Sequence, residues 1–228
     1  MRRILIIGAS RGIGLAMAEE FATRGWHVTG TVRGTAKTPL HDLRTARPTA
    51  IDIASVDIAD RDQITALHQQ LKGQSFDILL VNAGTANTNQ NETIAETTTE
   101  EFTRVMVTNA LSPMRVVEAL SDLATPEGTV AVMSSGQGSV AENTRGGHEV
   151  YRGSKAALNQ YMRSYAIRAG ETRPMLLIAP GWIQTELGGA EARYTLEESA
   201  PKLVDLVLAQ EGRPGLRYQD RDGRTVAW

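Results

Sequence analysis

Short aliphatic runs alternate along the whole chain with longer stretches in which apolar residues recur every three or four positions. This alternation is typical of parallel strands joined by crossover helices, because strands covered on both faces are apolar throughout while each helix buries one face. The fold class is therefore α/β. The strand candidates are 3–7, 28–33, 50–56, 76–81, 128–133 and 175–178, with a weaker seventh at 215–218. The helix candidates are 12–23, 61–71, 100–120, 149–169 and 196–210.

The composition excludes several classes of function. The chain has 228 residues, which suits one domain and leaves no room for a separate substrate domain. Lysine and arginine total 24 against 26 aspartate and glutamate, so nucleic acid is not an expected partner. Cysteine is absent and the four histidines lack ligand spacing, so neither disulfides nor a metal site is expected. The first apolar run is too short for a signal peptide or a membrane span, so we expect a cytoplasmic location without a membrane partner.

The first strand candidate runs directly into a glycine-rich turn and then into a helix. Gly8 allows a tight turn, Gly12 lets the backbone approach a pyrophosphate, and Gly14 lets the helix pack on the sheet. The same glycine spacing also occurs in turns without a ligand, but the strand before it and the helix after it favour a dinucleotide site at the helix amino terminus. The expected contacts in this turn are Gly8, Ser10, Arg11, Gly12, Ile13 and Gly14.

The end of the second strand candidate indicates which dinucleotide is bound. NAD(H) sites usually carry Asp or Glu there, which accepts hydrogen bonds from the adenine ribose. Here the strand ends in Arg33, which can pair with a 2′-phosphate, and Arg11 can reach the same phosphate from the other side. Either arginine alone could equally be a surface charge, but together they favour NADP(H). Asp57, after the third strand, either accepts from the adenine amino group or caps the next helix with Asp60.

Tyr151 and Lys155 lie four residues apart at the start of a helix candidate, so their side chains point to the same side. A phenol with a pKa of about 10 is a poor acid-base catalyst at neutral pH, but a neighbouring ammonium stabilises the phenolate and lowers its pKa. The pair therefore predicts a proton donor. The alternative is an ordinary helix face, because this spacing is common.

Taken in order, these motifs resemble those of the short-chain dehydrogenases/reductases. The ordered set is Gly8-x-x-x-Gly12-x-Gly14, Asn82-Ala83-Gly84 after the fourth strand, Asn109 in the next helix, serines after the fifth strand, Tyr151-x-x-x-Lys155, and Pro180-Gly181 after the sixth. The segments 138–143, 151–159 and 222–228 resemble more narrowly the C-factor and Sniffer-type carbonyl reductase branch. The resemblance covers almost the whole chain and implies one Rossmann-type domain over 1–228, with a doubly wound sheet of seven parallel strands.

The resemblance implies hydride transfer between the nicotinamide C4, on its pro-S face, and a carbonyl or secondary alcohol. In that scheme Tyr151 gives a proton to the carbonyl oxygen, Ser135 polarises the carbonyl, and Lys155 lowers the pKa of Tyr151 and bonds the nicotinamide ribose. Asn109 is the fourth catalytic residue. Pro113 lacks an N–H, so the Asn109 carbonyl loses its helical partner and is free to hold a water that links Lys155 to solvent. A helix kink without catalytic meaning is the alternative.

The resemblance also extends the cofactor site beyond the glycine turn and Arg33. The segment after the sixth strand is expected to hold the nicotinamide carboxamide through the backbone of Ile183 and the hydroxyl of Thr185. The expected cofactor contacts outside the glycine turn are Arg33, Asp57, Ile58, Asn82, Ala83, Gly84, Tyr151, Lys155, Pro180, Gly181, Ile183 and Thr185.

Three serines compete for the role of carbonyl polariser. Ser134, Ser135 and Ser139 lie 17, 16 and 12 residues before Tyr151, and the family's usual interval favours Ser139. We select Ser135 because it directly follows the fifth strand and the branch has a longer loop before its tyrosine. A further departure from the family is Ile7, which replaces a frequent threonine and removes a hydroxyl that could tie the first turn to Asn82, so we expect a less rigid turn.

Two loops, 136–149 and 182–195, are expected to form the substrate pocket, because ligands of open parallel sheets bind beyond the carboxyl ends of strands. The expected partner is a small-molecule carbonyl or alcohol, but the fold identifies neither the natural substrate nor the reaction direction. A homodimer or homotetramer and a monomer all remain open. The main alternative to an NADP-dependent carbonyl reductase or alcohol dehydrogenase is a non-catalytic NADP(H)-sensing or signalling protein. The complete catalytic set favours the enzyme.

Overall fold

One sheet of seven parallel strands runs through the computed structural model, which describes residues 1–170 and 172–228. The strands are β1 (Arg3–Ile7), β2 (His27–Val32), β3 (Ile51–Ser55), β4 (Phe76–Val81), β5 (Ala124–Met133), β6 (Pro174–Ala179) and β7 (Gly215–Asp220). Their order across the sheet is β3-β2-β1-β4-β5-β6-β7. The predicted α/β fold and all seven predicted strands are confirmed. Only β5 differs by more than two residues at either end, because it starts at Ala124, which pairs with Phe76 before a shift in register.

Helices flank both faces of this sheet. They are α1 (Gly12–Thr23), α2 (Pro39–Ala46), α3 (Arg61–Leu71), α4 (Thr99–Met106), α5 (Ser112–Leu120), α6 (Glu149–Arg168) and α7 (Leu196–Leu208). A π segment, Val107–Leu111, joins α4 to α5, and 3₁₀ turns cover Ser121–Leu123 and Gly136–Gly138. None of the helices within residues 1–170 and 172–228 combines the length and the apolar character that a bilayer crossing requires.

The strands bury both of their faces, and this explains their continuous aliphatic runs. In β1, Leu5 and Ile7 face a core that includes side chains of α3, α5 and α6. Ile4 and Ile6 face the opposite core, which includes side chains of α1 and α7. Neighbouring residues of one strand therefore serve different cores, as expected for a sheet covered on both sides.

The short helix α2 is absent from the predicted elements. Its eight residues bury one side chain, Leu40, so they carry almost no helical periodicity. Local signals do mark its start: Pro39 occupies the first turn, and the Thr38 N–H donates to Nδ1 of His41 at 3.1 Å. A Thr-Pro pair is a typical helix beginning, so this signal could have revealed α2.

The predicted helix 100–120 is interrupted by the π segment. The N–H of Ser112 donates to the carbonyl of Val107, five residues back instead of four. Pro113, which has no N–H to donate, follows at once. Pro113 is therefore accommodated by a local change of helix type, in agreement with the expected disturbance near Asn109.

Two glycines near the beginnings of helices are expected to respond to alanine in opposite ways. A β carbon at Gly14 would lie 2.1 Å from the Gly8 oxygen, whereas a β carbon at Gly153 would meet no atom within 4 Å. We expect Gly14→Ala to lower the free energy of unfolding by at least about 2 kcal/mol through overpacking, and Gly153→Ala to raise it by about 0.5–1 kcal/mol. Urea unfolding of both variants measures the difference, and equal stabilities would contradict the packing described for α1.

Candidate active site

The glycine turn after β1 is fixed from both neighbouring strands. Gly8 adopts a φ of 90°, its N–H donates to Oγ1 of Thr31 in β2 at 2.9 Å, and its carbonyl accepts from Nδ2 of Asn82 after β4 at 2.7 Å. The tie between the first turn and Asn82 is therefore present without a hydroxyl at residue 7, because Asn82 bonds the Gly8 backbone directly. Sequence reasoning missed the contact of Thr31, and nothing in the strand sequence distinguishes its hydroxyl from that of Thr29.

The glycine turn faces the segment that follows β6. A β carbon at Gly12 would have Cγ2 of Thr185 as its nearest neighbour, at 3.6 Å. Ser10 and Arg11 lie between the glycines, while Ile13 is half-buried against the core. The structure thus places two of the predicted cofactor segments, 8–14 and 180–185, next to each other.

The segment after β6 holds its own shape through the backbone. Pro180 is buried, Gly181 has a φ of 85°, and Ile183 forms a bridge with Tyr194. The hydroxyl of Thr185 accepts from the Gly188 N–H at 3.0 Å. Because the Ile183 side chain is buried in the core, only its backbone is left for a cofactor contact.

The two predicted phosphate-binding arginines have different partners. Arg33 is exposed just beyond β2, and among residues 1–170 and 172–228 no carboxylate pairs with it. Arg11 instead forms an ion pair with Glu186, at 2.8 Å between Nε and Oε2. Arg11 must therefore leave Glu186 before it can pair with a 2′-phosphate. Both partners of this pair are exposed, so it contributes at most about 1 kcal/mol.

The residues after β3 serve their own turn. The carboxylate of Asp57 accepts from the Ala59 N–H at 2.9 Å, while Asp60 caps α3 through the N–H groups of Asp62 and Gln63. The alternative, in which Asp57 and Asp60 cap this helix together, holds only for Asp60, while Asp57 bonds the turn before the helix. Ile58 buries its side chain in the core, which leaves only its backbone for a cofactor contact.

The three serines after β5 have separate surroundings. Ser134 is buried and donates to Oδ1 of Asn159 at 2.5 Å. Ser139 is also buried, and its hydroxyl accepts from the Glu142 N–H at 3.1 Å. Ser135 alone lies beside the Tyr151 hydroxyl, where hydrogen bonding to its side chain lowers the pKa of Tyr151. Ser135 as the carbonyl polariser stays a prediction.

Burial dominates the acid-base properties of Tyr151 and Lys155. The pKa of Tyr151 is raised because burial removes water from the phenolate, and this outweighs the opposing effect of Ser135. Burial lowers the pKa of Lys155 to about 8. The Lys155 ammonium lies 5.9 Å from the centroid of the Tyr151 ring and donates to the Met133 carbonyl at 2.9 Å. The expectation that Lys155 lowers the pKa of Tyr151 is therefore wrong for this structure.

Asn109 lies in the π segment and is fully buried. Its side-chain amide donates to the Thr85 carbonyl at 2.7 Å and to the Ser154 hydroxyl at 2.9 Å, and its side-chain oxygen accepts from the Thr85 N–H at 2.8 Å. Asn109 thus joins the loop after β4 to the helix that carries Tyr151. Sequence reasoning missed both Thr85 and Ser154.

Two of the predicted catalytic side chains, those of Asn109 and Lys155, lie close to each other at Gly84. A β carbon there would lie 3.4 Å from both Oδ1 of Asn109 and Nζ of Lys155. Nearby, Ala83 packs against the glycine turn, 2.9 Å from a β carbon built at Gly8. The glycine turn and the Asn109–Lys155 region therefore meet at the end of β4.

The two predicted substrate loops flank this region. Trp182 is 56% exposed and its indole N–H donates to the Gly188 carbonyl at 2.7 Å, so it does not cover the core. In the other loop, the N–H of Ala141 donates to the Trp228 carbonyl at 3.0 Å, which ties the loop to the end of the chain.

Comparisons with known proteins identify the family. A family model described as Enoyl-(Acyl carrier protein) reductase matches residues 8–204. A short-chain dehydrogenase/reductase from Burkholderia multivorans, solved with bound NADP, is 55% identical with a TM-score of 0.98, and the match covers 100% of this chain and 99% of that one. The chain therefore belongs to the short-chain dehydrogenase/reductase family.

Two further relatives support the predicted branch. The carbonyl reductase Sniffer of D. melanogaster is 27% identical with a TM-score of 0.88, over 100% of both chains. The C-signal protein of Myxococcus xanthus is 34% identical over 135 residues, which span 56% of this chain and 79% of that relative. The resemblance drawn from the sequence motifs is confirmed.

The buried amine of Lys155 is expected to titrate near pH 8, far below an exposed lysine. NMR of protein labelled with ¹⁵N-lysine, with Lys155→Gln to assign the signal, measures the midpoint. An ordinary lysine side chain titrates at about 10.4. Because desolvation favours the neutral amine, the Lys155 ammonium should lose its proton at a lower pH than that. A midpoint of about 10.4 would refute the effect of burial on Lys155.

Proposed function

We propose that the protein is an NADP(H)-dependent oxidoreductase that transfers hydride between the nicotinamide ring and a carbonyl or secondary alcohol. The observation that carries this proposal is the grouping of Ser135 beside Tyr151, with Lys155 and Asn109 meeting at Gly84, next to the glycine turn. Membership of the family supports the reaction type. The substrate is proposed to be a small-molecule carbonyl or alcohol.

The residues of the glycine turn, Arg33 and the segment after β6 fit a dinucleotide with a 2′-phosphate. Side chains larger than hydrogen are excluded at Gly8 and Gly14, which leaves the backbone of the turn free to approach a pyrophosphate. Arg33 stands where an acid would repel the 2′-phosphate, and the Burkholderia relative binds NADP. Thr185 and the Ile183 backbone are proposed to hold the carboxamide. When bound, NADPH supplies the hydride.

The protein's own groups supply the proton. Because its pKa is raised, Tyr151 keeps its proton at neutral pH, which is the state required to protonate the oxygen of a reduced carbonyl. Ser135, beside that hydroxyl, is placed to donate a hydrogen bond to the same oxygen. The reverse reaction requires the phenolate, so alcohol oxidation is favoured at high pH.

Lys155 and Asn109 are proposed to act behind Tyr151. With a pKa of about 8, Lys155 can hold or release a proton over the working range of pH. The Asn109 main-chain carbonyl, beside Pro113, is proposed to hold the water that connects Lys155 to solvent. The chain contains every residue that these two roles require.

Replacing Tyr151 by phenylalanine removes only the transferable proton. We expect kcat for NADPH-dependent reduction, tested on aldehydes, ketones and quinones, to fall at least about 100-fold, with the Kd for NADPH unchanged. Tyr161→Phe, an exposed tyrosine on the same helix, is the control and should keep full activity. Normal turnover by Tyr151→Phe would falsify the mechanism. A wild-type protein that binds NADPH tightly but reduces none of these compounds would favour the alternative of a non-catalytic NADP(H)-sensing or signalling protein.

Arg33→Asp is expected to change which dinucleotide binds. Losing a charge-assisted contact with the 2′-phosphate should weaken NADPH binding at least about tenfold and leave NADH binding nearly unchanged. Fluorescence titration of both cofactors gives the ratio. Arg213→Asp, at the opposite edge of the sheet before β7, makes the same change in net charge and should leave the ratio intact. A wild-type preference for NADH would contradict the assignment.

A further inference from the structure

A buried tyrosine supports the turn that carries Ser135. Tyr218, on β7, is 1% exposed, and its hydroxyl donates to the main-chain carbonyl of Ser135. The same carbonyl accepts from the Gly138 N–H at 2.9 Å, which closes the 3₁₀ turn. Two donors from different parts of the chain therefore fix the peptide group after Ser135.

The other side of this turn is bound to α6. Asn159 accepts from the Ser134 hydroxyl and donates from Nδ2 to the Gly138 carbonyl at 3.3 Å. Asn159 follows Tyr151 by eight residues, about two turns along the same helix. The serine turn is thus tied to the helix that carries Tyr151 and also to β7.

The Tyr218 ring is itself held in place. Its centroid lies 5.5 Å from that of Trp228, and the guanidinium of Arg163 stacks 4.9 Å from the Trp228 ring. Burial, assisted by the charges of Glu142 and Tyr151, raises the pKa of Tyr218 to about 12. Tyr218 therefore remains a hydrogen-bond donor at any pH at which the protein is assayed.

We propose that Tyr218 is a positioning residue that, together with Asn159, holds Ser135 beside the proton donor Tyr151. Without the phenol, one of the two donors to the Ser135 carbonyl is lost, and the peptide group can rotate. Because the Ser135 hydroxyl belongs to that residue, its distance to Tyr151 changes as well. Tyr218 touches neither substrate nor cofactor in this scheme. The inference rests on the proposed function for its catalytic meaning, but the contact that it describes is independent of turnover.

The test compares Tyr218→Phe with Tyr165→Phe. Tyr165 is buried in the same core, and its hydroxyl bonds no residue within 1–170 and 172–228, so it controls for the loss of a buried hydroxyl. We expect Tyr218→Phe to lower kcat about tenfold with KM and the Kd for NADPH little changed. The pKa read from the pH profile of alcohol oxidation should rise, because Ser135 no longer lowers the pKa of Tyr151. Tyr165→Phe should alter neither quantity.

A second readout needs no substrate. In protein labelled with ¹³C at the ring carbon that bears the tyrosine hydroxyl, the Tyr151 signal should shift in Tyr218→Phe and stay in place in Tyr165→Phe. Asn159→Ala should produce the same shift and covers the case in which Tyr218→Phe fails to fold. An unmoved Tyr151 signal, or equal effects of both tyrosine variants, overturns the proposal. If the wild-type protein shows no turnover but the Tyr151 signal still shifts in Tyr218→Phe, only the proposed function is refuted.

Discussion

The site depends on one close contact, between the start of α1 and the turn that precedes it. The Gly8 carbonyl lies so near residue 14, the third residue of α1, that only glycine fits there. Hydrogen bonds from Asn82 and to Thr31 then fix Gly8 to β4 and β2, the strands on either side of β1. Because the strand order reverses between these neighbours, the turn stands at the crevice where open parallel sheets bind ligands. Every other candidate residue is arranged around this edge.

Desolvation sets the second property of the site. It raises the pKa of Tyr151 and lowers the pKa of Lys155, so both groups are driven towards their neutral forms. A half-buried phenol and a buried amine can thus share the site without the cost of an unpaired charge. The Met133 carbonyl satisfies the amine, and Ser135 lies beside the phenol. Tyr151 therefore keeps its proton because of its surroundings, and not through attraction to the lysine.

The sequence was sufficient for the sheet and for the edge where the site forms, because strand burial and glycine spacing are local signals. It was insufficient wherever a contact with a distant segment of the chain decides the property of a residue. The pKa of Tyr151 depends on burial by several elements, and the direction of Arg11 depends on Glu186 in a distant loop. Thr31 acts through a neighbouring strand, and α2 lacks the periodicity on which helix prediction relies. The sequence predicted a disturbance of the helix near Pro113, but it did not predict a π helix between residues 107 and 111.

The π segment makes the length of the chain between α4 and α5 a fixed quantity. Each residue advances a helix by about 100°, so adding or removing one residue would rotate one helix against the other by that angle. Val105 of α4 and Val117 of α5 are both buried, and such a rotation would bring one of them to the surface. Asn109 would also leave its place between Thr85 and Ser154. The connection between α4 and α5 therefore tolerates neither an insertion nor a deletion.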